Sequence, residues 1–458
     1  MDNKTTFLAK SAVKANDLEH KRKLAFNIQK YAETVVKGKQ QFSDIDGARK
    51  RAKNTKWKAI ENLDKHLEAF EKNCTARGGK VIWAETAQEA LDAVLHICKA
   101  KKAKQIVKSK SMVTEEIHLN DFLAKHGIES VETDLGEYIQ QLDGEPPYHI
   151  VTPAMHKSKE DVAKLFHEKL GVPPGLSPSE LTLIARKNLR EKYITADIGL
   201  TGGNFLIADT GAVCVTENEG NGRLSTAFAK TQIAIVGIEK VLPSLNALPL
   251  FWPLLATYGT GQNVTVYNTI FTGPRQPGET DGPEEMYVIL LDNGRTNLIQ
   301  RKEIRESMYC IRCGACLNAC PVYKNIGGHA YGATYSGPIG SVITPHLKGM
   351  KEYKHLSYAS TLCGNCTEVC PVKINIHEML LENRHIAERE HLNDFSENIG
   401  WKIWKRGMMS RSLMNAASGS MKEKLVNKLF KNSWGPHRDR LRFPEKTFQQ
   451  LWKEQHKN

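Results

Sequence analysis

The N-terminal stretch beginning Met1-Asp2-Asn3-Lys4 holds no apolar run of the roughly 7 to 15 residues that a secretory signal requires, so the expected compartment is the cytoplasm. A second lack concerns membrane spans. The uncharged stretch Val241 to Pro274 carries Pro243, Pro249, Pro253, Gly259 and Gly261, more breakers than a lipid-exposed helix could absorb. Buried loop and strand of a soluble domain are expected there, and no transmembrane segment. The chain has no GxGxxG, P-loop or nucleophile-elbow pattern, which argues against nucleotide-hydrolase and serine-hydrolase chemistry. It also has no helix-turn-helix, aromatic ribonucleoprotein or zinc-finger pattern, so nucleic acid is not an expected partner. Cysteine is scarce outside one region: of ten, Cys74, Cys98 and Cys214 stand alone and seven fall between Cys310 and Cys370. A disulfide framework is not expected in such a chain. The three scattered thiols read as core residues, and the cluster reads as metal ligation.

What is present fits a globular protein of more than one domain. The 458 residues are about three times a usual domain length. Ordinary hydrophobic (40%) and charged (25%) fractions exclude collagenous and wholly disordered chains. The net charge is +13, but residues 401–458 hold fourteen Lys and Arg against four Asp and Glu, so the tail supplies +10 of it. Interleaved with Trp401, Trp404, Trp434 and Trp452, that charge suits an acidic partner surface and, less well, peripheral contact with an anionic membrane. The plainer reading is a solvated basic helix.

Four segments follow from the pattern. Residues 1–70 read as a helical extension lying on the next domain, with Trp57, Ile60, Leu63, Leu67 and Phe70 on one stripe. Residues 71–300 alternate short apolar runs with helical stretches, the signature of an α/β domain with a largely parallel sheet. The predicted strands centre on Val81-Ile82-Trp83, Ile106-Val107, His149-Ile150-Val151, Phe205-Leu206-Ile207, Ile233 to Val236 and Tyr287 to Leu291. Residues 301–395 carry the cysteine cluster and read as helix and loop, with a helix over Ile376 to Arg389. Residues 396–458 form the basic tail. Within the α/β part, Lys108 to Met112 leads from a strand into a predicted helix over Val113 to Phe122, where a lysine and free N–H groups could hold an anion; a cap by Ser111 with solvated lysines is the alternative. Asp209-Thr210-Gly211-Ala212 suits a plain turn. The polar loop Glu217 to Arg223 suits a ligand edge or an ordinary surface loop.

The chemistry lies in two blocks. Cys310-Ile-Arg-Cys313-Gly-Ala-Cys316-Leu-Asn-Ala-Cys320-Pro321 is the C-x2-C-x2-C-x3-C-P run of two-cluster ferredoxins, in which three thiolates wrap one cluster and the fourth reaches the other. The second block, Cys363-Gly-Asn-Cys366-Thr-Glu-Val-Cys370-Pro371, aligns Ser360 with the missing fourth cysteine. Crossed ligation then gives one cluster Cys310, Cys313, Cys316 and Cys370. The other receives Cys320, Cys363 and Cys366 and lacks one thiolate. That site suits a three-iron cluster, or a four-iron cluster completed by Ser360, solvent or a partner's group. Zinc is the competing metal, but zinc motifs rarely pack four cysteines into eleven residues before a proline. The Gly-rich connection Gly327 to Gly340 could bring backbone N–H groups to the clusters or be a compact turn-rich linker; His329 within it and His346 after it are candidate ligands or packed side chains.

The sequence resembles the lactate-utilisation iron-sulfur protein B family (LutB/YkgF) over essentially its whole length. The resemblance is carried by Val107 to Met112 with Glu115-Glu116, Gly202 to Gly211, Gly273-Pro274-Arg275, Asp281 to Glu285, and the four-plus-three cysteines. It implies a CoA-transferase-like lactate-utilisation domain followed by an α-helical two-cluster ferredoxin domain, with two clusters, commonly [4Fe-4S], on the seven cysteines. It further implies oxidation of L-lactate to pyruvate with two partner proteins, a cysteine-rich subunit and a second lactate-utilisation-domain subunit. It assigns no catalytic residue. No flavin or nicotinamide site is evident, so an electron-transfer subunit is expected rather than one that takes the hydride. The alternative is a redox-sensing regulatory protein whose α/β domain binds a small anion.

Overall fold

The computed structural model describes residues 2–429, 431 and 438–456. Four helices open the chain: Asn3–Asn16, Leu18–Lys39, Ile45–Glu61 and Leu63–Ala76. The first three begin where an aspartate side chain, Asp2, Asp17 or Asp44, accepts a backbone N–H of the first turn, the commonest way to satisfy those donors. The predicted stripe is broken at Asn62, where the third helix ends. Ile60, Leu67 and Phe70 are buried, but Trp57 is 48% exposed, and Ala48, Ala52 and Ala59 take the inward face instead.

Ten strands follow: β1 (Lys80–Ala84), β2 (Gln105–Lys108), β3 (Glu129–Glu132), β4 (Ile198–Thr201), β5 (Phe205–Ile207), β6 (Ala212–Glu217), β7 (Thr231–Gly237), β8 (Val241–Leu242), β9 (Tyr267–Phe271) and β10 (Glu285–Leu291). Six form a sheet in the order β1-β10-β7-β4-β2-β3, parallel at every pairing. All seven residues of β7 are buried, the mark of a strand covered on both faces. One face packs on the helix Ala87–Ala100 through Leu91, Val94 and Cys98, the other on the helix Leu63–Ala76 through Leu67, Phe70 and Cys74. The scattered thiols Cys74, Cys98 and Cys214 are all buried and unpaired, as expected of core residues. A second, four-stranded sheet runs β8-β5-β6-β9, with β6 antiparallel to both neighbours. The turn Asp209 to Ala212 joins β5 to β6, and Gly211 sits there at φ +66°, with the backbone of Cys74 where a Cβ would go.

Three local expectations are corrected. His149-Ile150-Val151 is a bend, not a strand, because its backbone is satisfied locally: Val151 and Thr152 N–H both donate to His149 Nδ1, and Tyr148 N–H donates to Pro153 O. Residues 241–274 contain a helix, Leu248–Thr260, in addition to strand and loop; Pro249 lies in its first turn, where the missing N–H costs nothing. The helix predicted over Val113 to Phe122 is two, Met112–Glu116 and Leu119–Lys125, broken at His118 (φ +55°).

After residue 300 the chain is helix and loop: Ala315–Ala319, Pro321–Ile326, Gly337–Lys348, Met350–Tyr358, Asn365–Glu368 and Ile376–Arg389. The last has the predicted bounds and buries Ile376, Met379, Leu380 and Ile386. This helical part shares one apolar core with Phe7, Leu24, Ile28 and Ile60 of the N-terminal helices and with Phe205, Cys214 and Phe251. The N-terminal helices therefore rest on the cysteine-bearing part as well as on the sheet. The described chain forms two compact units, 1–387 and 388–458. The second holds the helices Phe395–Met409, Arg411–Asn415, Gly419–Leu429 and Phe448–Gln455. In it Trp401, Trp404 and Trp452 are each more than half exposed; Trp434 lies outside the described residues. No described helix is long and apolar enough to cross a membrane.

Candidate metal centre

Local backbone geometry brings the clustered cysteines together. Arg312 and Gly314 both take positive φ, +61° and +79°, so the chain curls around Cys313 and delivers Cys316 on the short helix that Gly314 begins. Cys310, Cys313, Cys316 and Cys370 line one small apolar cavity, with Ile150, Leu317, Ile339 and Val372 completing its wall. These are the four residues that crossed ligation assigns to one cluster. The remaining three are not on that wall. Cys320 and Cys366 are buried and Cys363 is exposed, and each of the two buried thiols is pushed up by burial and then by its neighbours among the three. Burial likewise pushes Cys370 up to about 12, with Cys310 adding to the effect. Four thiols facing one apolar cavity, Cys313, Cys316 and Cys370 buried and Cys310 half-buried, are a poor arrangement for free thiolates and a good one for a cation-rich cluster that takes them deprotonated. The donor set therefore fits iron-sulfur ligation.

The second block is clamped by the N-terminal helices. Arg49 donates from Nε and Nη2 to Cys370 O at 3.1 and 2.9 Å, Lys53 Nζ donates to Lys373 O at 3.3 Å, and Lys373 pairs with Asp46 at 2.6 Å. Asn365 Nδ2 reaches Ala319 O at 3.0 Å, tying the second block to the first. The two histidines singled out between the cysteine blocks are packed and bonded: His329 Nε2 lies 2.8 Å from Pro146 O and its ring meets Tyr148 and His156, while His346 Nε2 lies 2.8 Å from Asn383 Oδ1.

A cleft of about 520 Å³ runs from the C-terminal ends of the parallel strands to the first cysteine loop. Its rim is built by the segments that follow β2 (Ser109 to Val113), β3 (Asp134 to Gly136), β4 (Gly202 to Asn204) and β7 (Glu239, Lys240), with Glu217 and Glu219 from the predicted polar loop; its far wall is Arg312 and Cys313. Ligands of open parallel sheets bind at this edge. Lys108 does not belong to it as an anion holder. Its side chain is fully buried, paired with Glu132 at 2.7 Å and Glu115 at 3.3 Å, so its charge is spent inside the sheet. Ser111 makes no side-chain cap, and Lys110 bonds Val151 O at 2.7 Å.

One buried charge network beside the site is assembled over long range. Arg295 donates from Nη1 and Nη2 to the two oxygens of Glu116 at 3.0 and 2.8 Å, and from Nε to Glu239 at 2.7 Å. Tyr335 Oη donates to Glu116 at 2.6 Å, and Arg312 reaches Glu239 at 3.7 Å while its guanidinium lies over the Tyr335 ring at 4.4 Å. Burial alone would raise the Glu239 carboxyl; Arg295, Lys240, Arg312 and Lys56 hold it down at about 2. This network joins residues of the sheet domain to residues of the cysteine loop, beside Cys310.

A LUD domain family profile matches residues 67–291, and a 4Fe-4S dicluster domain profile matches residues 306–374, which include all seven clustered cysteines. The chain is 47% identical over 381 residues to "Lactate utilization protein B" of Bacillus velezensis, covering 83% of this chain and 80% of that one. Proteins of the same name from Anoxybacillus flavithermus and Bacillus subtilis are each 49% identical over 361 residues, covering 78% of this chain and 76% and 75% of theirs. The α/β fold with its parallel sheet, the dicluster segment and these identities agree, and the chain belongs to the lactate utilization protein B family of iron-sulfur proteins.

Proposed function

We propose that this chain is the iron-sulfur electron-transfer component of a cytoplasmic complex that oxidises L-lactate to pyruvate, acting with a cysteine-rich subunit and a second lactate-utilisation-domain subunit. Two clusters are assigned, one on Cys310, Cys313, Cys316 and Cys370, the other on Cys320, Cys363 and Cys366. When bound, such clusters accept and release electrons singly, at potentials set by their surroundings. The protein's own residues do the rest. The apolar wall of Ile150, Leu317, Ile339 and Val372 keeps water from the first site, and the Arg312, Glu239 and Arg295 network fixes the loop that carries Cys310 and Cys313. The observation that carries the reading is the position of Cys313: it lines both the four-thiol cavity and the cleft at the sheet edge. A donor in the cleft is therefore one side chain away from the first cluster site. Oxidation of a 2-hydroxy acid to a 2-oxo acid releases two electrons and two protons, so two one-electron sites in one chain match one turnover. The relatives named for lactate utilization support the choice of substrate. Deleting the gene should abolish growth on L-lactate as sole carbon source while growth on pyruvate continues; unimpaired growth on lactate would defeat the proposal.

A further inference from the structure

The two cysteine loops share more than spacing. Arg312 and Leu362, each immediately before a cysteine, have φ of +61° and +53°; Gly314 and Gly364, each immediately after that cysteine, have φ of +79° and +78°. Each glycine starts a short helix, Ala315–Ala319 or Asn365–Glu368, that carries the next cysteine, Cys316 or Cys366. Non-glycine residues seldom take positive φ, so its recurrence at the same place in both loops marks one backbone design used twice. In that frame Arg312 N–H donates to Cys310 Sγ at 3.4 Å, and Leu362 N–H donates to Ser360 Oγ at 3.1 Å. Ser360 Oγ thus holds the position in the second loop that Cys310 Sγ holds in the first.

We propose that Ser360 Oγ is the fourth protein ligand of the second cluster, beside Cys320, Cys363 and Cys366; the assignment rests on the iron-sulfur reading given above. The backbone at Ser360 is anchored for the task. Arg384 donates from Nη2 to Ser360 O and from Nε to Ser357 O, both at 3.1 Å, so the hydroxyl is presented from a fixed main chain, the kind of support that orients metal ligands. Ligation forms an iron–oxygen bond and breaks the serine O–H bond, the proton leaving to solvent; no electron moves. Ser360 is half-buried and Cys363 is exposed, so that proton has a way out. A hard oxygen on one iron makes the second cluster chemically distinct from the all-thiolate first.

The test uses the full chain, loaded and purified without air, as wild type, Ser360→Ala and Ser360→Cys. Wild type should hold two four-iron clusters. Ser360→Ala should lose about one iron per chain and show a three-iron EPR signal on mild oxidation; a shifted potential of one cluster with iron retained would equally support the assignment, solvent having replaced the oxygen. Ser360→Cys should keep all its iron and shift the midpoint potential of one cluster only. Wild-type iron content and both wild-type potentials in Ser360→Ala would overturn the assignment, as would a three-iron second cluster in wild type. A colourless wild-type protein would overturn the iron-sulfur reading along with it.

Discussion

Cys310→Ala should lose about half of the broad absorbance near 400 nm in protein purified without air, and with it lactate-dependent growth. The expectation follows from which side chains share a wall. Cys310 faces the same small cavity as Cys313, Cys316 and Cys370, so its loss strips one ligand from a set of four and leaves Cys320, Cys363 and Cys366, the ligands of the second cluster, in place. The lining is apolar and the neighbouring thiols are buried, so no described carboxylate or imidazole stands on that wall to replace it. Cys98→Ala serves as the control. That thiol is buried among Leu91, Val94 and Ile106 in a different core, and its absorbance should match wild type. Full absorbance in Cys310→Ala would contradict the ligand assignment. A complete loss of both clusters would mean instead that the two sites assemble as one unit, through the contacts that join the two blocks, such as Asn365 to Ala319.

Arg295→Met should destabilise the protein by about 3 to 5 kcal/mol, the usual cost of removing one partner from a buried charge network. Arg295 is 1% exposed, and its guanidinium satisfies two carboxylates that are each 2% exposed. Methionine fills similar space but leaves Glu116 and Glu239 charged and under-paired in the interior. Tyr335 and Asn293 still serve Glu116, and Arg312 remains 3.7 Å from Glu239, which sets the effect below total collapse. Arg295→Lys keeps the charge without the bidentate geometry and should fall between the two. The measurement is the urea midpoint by circular dichroism, followed beside the rate of cluster loss. Both should move together, because the network ends on the loop that bears Cys310 and Cys313. A change under about 1 kcal/mol would show that the network is dispensable.

What the sequence made legible was whatever is encoded over short spans. The cysteine blocks are read directly because three of the four ligands of the first site lie within seven positions and the φ-reversing glycines sit beside them. Strands β2, β7 and β10 are visible as apolar runs because the covered interior of the parallel sheet needs them, and β1 and β5 are visible as short apolar runs of their own. The second sheet was largely hidden, since β8 has two residues and β9 is mostly half-exposed, which leaves little periodicity to see. His149 to Val151 misled because Ile150 serves the wall of the cysteine cavity and Val151 that of the cleft rather than a ladder. Pro249 misled in the opposite sense, because a proline in the first turn of a helix is no breaker. Lys108 looked like a binding residue because its partner, Glu132, lies 24 positions away on the neighbouring strand. Arg295 could not be found at all, its partner Glu116 being 179 positions distant. Long-range charge pairing leaves no local pattern.

The most direct measurement is anaerobic addition of L-lactate to the complex of this chain with its two partner proteins, followed by visible absorbance and EPR. The account predicts bleaching near 400 nm, a reduced-cluster EPR signal from this chain, and one pyruvate formed for every two electrons taken up. Pyruvate formed while the clusters of this chain stay oxidised, with no acceptor added, would contradict it.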